Sequence, residues 1–429
     1  MSTYEVVLGL QSTADWASDD YIPGNWREMI LRLWPNGDAP LTAMLAKLPS
    51  EPTDNYIFHW FTEGLPTQGG DITDVYLDSA LSSTYTEGNG IAGELVYIKM
   101  AEAVASEIRP GHIVMLRDKS QDAADVNLKC LQRVTNGASS YIVARFLEAD
   151  DNGSSHEFDA ILVIGSINPQ ASESPEAISY QPVGHYNYTQ IWRTPLEIAG
   201  TVLETKTRFG PWYQHEKENA LRMHSIEMEK SLLWGSRYLG VGDNGKPEYS
   251  TQGIIRGTTT HRYDYKTDTD YSGKTWIQGG EDWFRNKLAS IFKYGSDTRL
   301  AYGGIGAILA FNKLAENNAM ITITPGQAEY GIKVMMYEFN FGRVLMKRHP
   351  LFSYETTNQY SMLLLEPKNL KLRPFKNRDT HFRPDLQLKK GGWTDKDSIK
   401  EGWLTEAGLE MHHEETFAYM SGVGQDNPL

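Results

Sequence analysis

The chain has 429 residues, long enough for two or three hydrophobic cores. Its 55 Asp and Glu outnumber 41 Lys and Arg for a formal charge of −14, and 40% hydrophobic against 22% charged residues excludes both a largely disordered chain and a membrane channel. The single cysteine, Cys130, excludes an internal disulfide and a cysteine-built zinc site and points to a reducing compartment.

Met1 to Leu10 carries no basic residue ahead of its short apolar stretch, and Ala301 to Phe311 is too short to cross a bilayer, so neither export nor membrane insertion is expected. Residues 1–50 mix Gly, Pro and polar residues around one amphipathic patch, Trp26 to Trp34, whose Trp26, Met29, Ile30, Leu33 and Trp34 recur at helical spacing. They read as an arm with one helix. A second apolar stretch, Leu41 to Leu48, is bracketed by Pro40 and Pro49, and Tyr56 to Phe61 reads as an aromatic-rich strand. Gly64 to Gly93 is rich in Gly, Thr, Ser and Asp without apolar periodicity, the composition of a loop.

From Ile91 to Tyr180 short apolar strands alternate with turn chemistry: Leu95 to Met100, Ile113 to Leu116, Leu131 to Val134, Tyr141 to Leu147 and Ala160 to Ile164. Pro110-Gly111, Asn136-Gly137 and Asp151-Asn152-Gly153 mark the turns, and a Ser/Pro/Glu-rich stretch from Asn168 to Glu176 closes the segment. This is a small inserted β-barrel or sandwich. A strand follows from Tyr186 to Trp192, then the longest helical pattern, Gln214 to Trp234, entered past Gly210-Pro211 and closed by Gly235. Its apolar residues form two stripes, Ala220/Met223/Ile226 and Leu221/Met228/Leu232, so it should pack on more than one side. The remainder alternates helices (Trp276 to Tyr294, Ala307 to Asn318) with strands (Ile321 to Ile323, Lys333 to Phe339, Arg343 to Met346, Tyr360 to Glu366, Asn369 to Pro374) and ends in a strand from Glu410 to Met420. The class is α+β.

Charge is uneven along the chain. Met1 to Pro110 holds sixteen acidic residues against five basic, whereas Glu366 to Lys400 holds ten basic against five acidic. Copies packed head to tail could set the acidic front of one against the basic back of the next. The basic stretch could instead track phosphates, although a net-acidic chain repels a polyanion at long range.

No catalytic or cofactor motif stands up. Gly88-Asn89-Gly90-Ile91-Ala92-Gly93 matches a dinucleotide-binding glycine pattern in letter, but neither the preceding strand nor the following helix is present in sequence, so it reads as a loop. His412-His413-Glu414-Glu415 lies on a strand pattern that would turn neighbouring histidines to opposite faces, and His215-Glu216 lacks a second histidine four residues on. Cys130 has no base beside it in sequence. No catalytic, metal or cofactor residue is nominated, and no enzymatic activity is expected. The 11 Trp, 23 Tyr and 14 Phe would suit either stacking platforms for a glycan or a large protein interface.

Ordered segments carry a resemblance. Ile30-Leu31-Arg32-Leu33-Trp34-Pro35-Asn36-Gly37-Asp38-Ala39-Pro40-Leu41, then Asn55-Tyr56-Ile57-Phe58-His59-Trp60 and Glu63-Gly64-Leu65, resemble the N-terminal region of tailed-bacteriophage major capsid proteins. Tyr188 to Pro195 with Gly200-Thr201, Ile226 to Gly235, and Tyr330-Gly331 through Phe341-Gly342 to His349-Pro350 agree in order. The resemblance implies the Hong Kong 97-type fold: an N-terminal arm (1–54), an extended β-loop (55–90 and 181–195), a peripheral domain (196–245 and 366–429) with a spine helix at 214–234, and an axial domain (246–365). The segment 91–180 departs from that plan as an inserted all-β domain, displayed outside the shell or bracing a neighbour.

The implied function is an icosahedral head shell enclosing packaged double-stranded DNA, built from hexamers and pentamers of this chain in the host bacterial cytoplasm and kept in the virion. Scaffold, portal and decoration proteins are the implied further partners, with weak non-specific DNA contact at most and no membrane. Trp26, Trp34, Trp60, Phe61, Glu63, Lys371, Arg373, Arg378 and Arg383 are the assembly-interface candidates. Some members of this fold weld subunits through a lysine on the extended loop. Leu48 to Ile98 contains no lysine, so a non-covalent shell is expected, with Lys99 the nearest exception. The alternative is an aromatic-rich glycan-binding protein or other virion accessory protein.

Overall fold

A computed structural model describes residues 39–86, 88–120, 124–152, 157–206, 212–317, 323–329, 332–354, 356–384, 386 and 397–429. The chain divides into two compact units, residues 1–60 with 185–429, and residues 61–184. The helix expected over Trp26 to Trp34 lies outside the described residues.

Among the described residues the larger unit opens with helix α1 (Pro40–Leu45), where Pro40 at the first turn forgoes an N–H that has no helical partner. Strand β1 (Ile57–Thr62) follows. The chain then builds the smaller unit: β2 (Gly69–Tyr76), β3 (Leu95–Met100), α2 (Glu102–Ser106), β4 (His112–Arg117), β5 (Val126–Val134), β6 (Tyr141–Phe146) and β7 (Ala160–Ser166). These six strands close as a barrel in the order β2-β3-β6-β5-β4-β7. Alternate residues point inward, so Val96, Ile98, Met100, Val114, Leu116, Leu128, Ile142 and Ala144 form a sealed core.

The barrel corrects the loop reading of Gly64 to Gly93 and starts earlier than 91. Strand β2 pairs with β3 on one edge and β7 on the other, and its composition hides this because only Ile72 and Val75 face the core. Gly69 and Gly70 sit where a Cβ would strike the Ile161 carbonyl and Val104, so glycine here marks close packing rather than a flexible loop.

Strand β8 (Val183–Tyr188) pairs with β1, and β9 (Gln190–Ala199) continues it. Helix α3 (Gly200–Glu204) leads to the spine helix α4 (Trp212–Trp234), which buries Ala220, His224, Met228, Glu229, Leu232 and Leu233. Of the two expected stripes, Met228 and Leu232 are buried, while Leu221 and Met223 stay exposed. The burial of His224 and Glu229 on the inner face explains why apolar periodicity alone did not define it.

A hairpin of β10 (Tyr238–Val241) and β11 (Pro247–Ser250) and helix α5 (Ile254–Gly257) come next. Strand β12 (Arg262–Asp264), helix α6 (Trp276–Ile291), β13 (Thr298–Gly303), α7 (Ile305–Asn317), β14 (Ile323–Glu329), β15 (Ile332–Phe339), β16 (Gly342–Arg348), α8 (Pro350–Tyr354) and β17 (Met362–Leu365) follow. The last elements are β18 (Leu370–Pro374), β19 (His381–Arg383), β20 (Ser398–Met411) and β21 (Ala418–Ser421). The expected strand over Glu410 to Met420 is thus two strands, divided where His413 turns to a φ of 49° and a single helical turn runs from Glu414 to Thr416.

A seven-stranded mixed sheet, β12-β21-β17-β13-β16-β15-β14, separates two cores. Successive residues alternate between them. Ala301, Val344, Met346, Met362 and Leu364 face α6 and α7, whereas Leu300, Tyr302, Leu345, Leu363 and Leu365 face the side of α1 and α4. Burial on both faces produces the near-continuous apolar runs of these strands. In the second sheet β20 is central, flanked by β9 on one edge and by β18 and β19 on the other.

Candidate functional site

The candidates fall in two places, and Trp26 and Trp34 lie outside the described residues. The first place is the β1/β8 ribbon. Trp60 is half-buried, its ring 5.8 Å from that of His185 and 6.0 Å from that of Phe58, both near parallel. Phe61, one residue on and pointing the other way, is 74% exposed and lies beside Gly184. Glu63 is exposed, and Leu65 is exposed to 91%. Val183 adds a further exposed apolar residue on β8. A two-stranded ribbon cannot bury both faces by itself, so these side chains are open to contact by another surface.

The second place is the basic stretch on β18, β19 and the turn between them. Lys371 Nζ lies 2.6 Å from Glu51 Oε1 and Arg373 Nη1 lies 2.8 Å from Glu51 Oε2. The hydrogen bond from Lys371 holds the Glu51 carboxyl below its ordinary range. Arg373 Nε also lies 2.7 Å from Glu410 Oε2, and Arg378 pairs with Glu406. Arg383 approaches the His381 ring at 3.3 Å. The acidic front therefore meets the basic back inside one subunit at Glu51. The carboxylates of Glu406 and Glu410 stay buried on β20, and these arginines supply their counter-charges.

The discarded motifs have structural positions. Asp150, almost fully buried, accepts from Tyr85 Oη (2.6 Å) and Gly88 N (2.8 Å), while its own N–H donates to Gly90 O, so the glycine-rich loop closes one end of the barrel and leads into strand β3. Glu414 turns to accept from Thr259 and Thr260, away from His412, whose partner is Glu410. Burial pushes the Cys130 thiol up to about 11, which leaves it a protonated core residue at neutral pH.

Sequence reasoning missed the most highly buried polar cluster on the spine. Glu229, fully buried on α4, accepts through Oε1 from Leu41 N (2.7 Å) and His349 Nε2 (2.8 Å), and through Oε2 from Thr42 N (2.6 Å) and Thr42 Oγ1 (2.5 Å). Its partners stand 120 to 188 residues away, and the one local signal was a glutamate on the same helical stripe as Met228 and Leu232.

Among curated proteins the chain is 23% identical over 328 residues to the major capsid protein of Pseudomonas phage PaMx41, covering 76% of this chain and 72% of that one. Among solved structures it is similar to a chain of Mycobacterium phage Cain (8% identity, TM-score 0.44, covering 98% of this chain and 96% of that chain) and to one from the capsid of Myoviridae phage XM1 (8%, 0.42, covering 97% and 100%). The family model of the SU10 major capsid protein matches residues 11–424, almost the full length, and the chain belongs to that family.

Proposed function

We infer that this major capsid protein closes its shell through non-covalent contacts made largely by the β1/β8 ribbon. The function is mechanical: copies of a Hong Kong 97-type subunit assemble into the icosahedral head shell of a tailed phage around its packaged genome. The observation that carries the ribbon's role is its exposure, with Phe61 and Val183 presented to solvent on a two-stranded element and Leu65 exposed just beyond β1. Trp60, Phe61 and Glu63 are its contact residues, and Lys371, Arg373, Arg378 and Arg383 border a second contact region.

Under this reading residues 1–54 form the arm, the β1/β8 ribbon is the extended loop, and α4 is the peripheral spine. The seven-stranded sheet with α6 and α7 is the axial domain, which takes in β21 (Ala418–Ser421) in departure from the expected assignment of 366–429 to the peripheral domain, and the barrel is the insertion. Scaffold, portal and decoration proteins are its further partners, assembly takes place in the host cytoplasm, and contact with DNA is weak because both surfaces are acidic on balance. No residue is assigned a catalytic role. The glycan-binding alternative is not favoured.

Negative-stain electron microscopy with sedimentation velocity, on the chain alone and with its genomic neighbours co-expressed, tests assembly. Closed shells, hexamers or pentamers are expected, and a persistent monomer or dimer under all conditions would overturn the reading. For the non-covalent claim, boiled mature particles should run on a denaturing gel as one band of monomer mass. A ladder of oligomers would contradict it.

A further inference from the structure

Helix α1 begins with a capping problem. Ala39 at its N-cap has no side chain to accept from the first turn, and Pro40 has no N–H, which leaves the Leu41 and Thr42 amides as the unsatisfied donors. The acceptor comes from the spine: both oxygens of Glu229 are engaged, Oε1 by Leu41 N and Oε2 by Thr42 N and Thr42 Oγ1. The orientation of the carboxylate is set from the far side by His349. His349 Nδ1 accepts from Leu351 N at 3.2 Å, so its hydrogen sits on Nε2 and donates to Glu229 Oε1. Tyr302 completes the seat, its hydroxyl donating to the Pro40 carbonyl at 3.3 Å with its ring 5.4 Å from that of His349. Leu41, Met44 and Leu45 are then buried among Met228, Leu232 and Leu363.

A helix of six residues has no independent stability, so its place depends on this docking. A buried carboxylate is also a costly way to hold it, because apolar packing alone would avoid the desolvation. What the carboxylate adds is direction: three donors of α1 converging on a carboxylate that His349 holds from the other side permit one position and one axial rotation of α1. We propose that Glu229, oriented by His349, is a latch that fixes the position and axial rotation of α1 on the subunit body, and that closed shells require it. Glu229 and His349 are positioning residues, and the assembly half of the proposal rests on the shell reading above.

The test compares the full-length chain with Glu229→Gln and Thr42→Val. The first replaces an acceptor oxygen by a donor while keeping shape, and the second removes one hydroxyl without touching the spine. Amide hydrogen exchange at Leu41 and Thr42 should quicken by at least about tenfold in both variants while rates across α6 and β13 stay unchanged. Under conditions where the wild type closes, both variants should yield open or irregular particles. Unchanged exchange at Leu41 and Thr42 in Thr42→Val would overturn the latch, and remains decisive if Glu229→Gln fails to fold. Faster exchange with normal shells would overturn its role in assembly. A wild type that forms no shells would count against the shell reading, with the exchange result still deciding the latch.

Discussion

At the scale of single residues the larger unit is organised by buried charges that each have a named partner. Arg299, fully buried on β13, lies 3.0 Å from Glu366 Oε2 and donates to the Ser296 and Tyr294 carbonyls. Arg299→Met would leave Glu366 buried without its counter-charge, and should lower stability by about 3–5 kcal/mol in urea unfolding of the subunit. His224 faces the Thr194 and Thr405 hydroxyls at 3.0 and 2.8 Å, and burial lowers its pKa below the ordinary 6.5. The unfolded chain therefore takes up the proton first on acidification. The stability contributed by neutral His224 is full above about pH 6.5 and is lost as pH falls from there toward the lower folded value. Burial lowers His112 and His261 in the same direction. The drop in urea midpoint between pH 7.5 and 5.5 should accordingly be smaller in His224→Gln than in the wild type, with an equal drop counting against His224 as a contributor.

At the scale of elements, β20 shows why a strand can be nearly all buried and still carry three glutamates. One face packs toward α4 through Thr405, Ala407 and Leu409, with Glu401 accepting from Tyr213 Oη. The other face sets Glu406 and Glu410 against Arg378 and Arg373. Gly408 lies between those two glutamates, where an added Cβ would come within 2.5 Å of the Phe58 ring and 2.7 Å of the Tyr188 carbonyl. Because one of those neighbours is backbone, it cannot swing aside. Gly408→Ala should cost about 1–3 kcal/mol and loosen the base of the β1/β8 ribbon, seen as faster exchange at the Thr189 amide, which donates to Tyr56 O. Aromatic density at this place was legible in sequence as Tyr56 to Phe61. The stacking of Tyr56 on Tyr249 at 5.2 Å was not, because nearly two hundred residues separate them.

At the scale of the whole molecule the charge is partitioned by unit. Residues 61–184 carry seven Lys and Arg against eighteen Asp and Glu, a net of −11 out of the chain's −14. Of the front's excess of eleven acidic charges over Met1 to Pro110, six fall in the barrel unit and five in residues 1–60, the unit that also holds the basic back. The barrel has a closed sheet and its own core, and so meets the requirements for independent folding. Expressed alone, residues 61–184 should give a dispersed amide spectrum and a single cooperative thermal transition. A collapsed spectrum without a transition would show that the remainder of the chain is needed to form it.

The sequence by itself determined the α+β class, the strands and turns of the 91–180 segment though not helix α2 within it, which corrects its all-β reading, the spine helix to within two residues at its start, and the lack of lysine from Leu48 to Ile98. Those follow from local signals: periodicity, turn chemistry and composition act over a few residues. The tertiary structure alone decided that Gly69–Tyr76 is a barrel strand, that Glu51 joins Lys371 and Arg373 within one subunit, and that Glu229 caps a helix almost two hundred residues before it. In each case the partner is distant in sequence, and a polar side chain or a glycine carries no local mark of the neighbour that folding will bring to it.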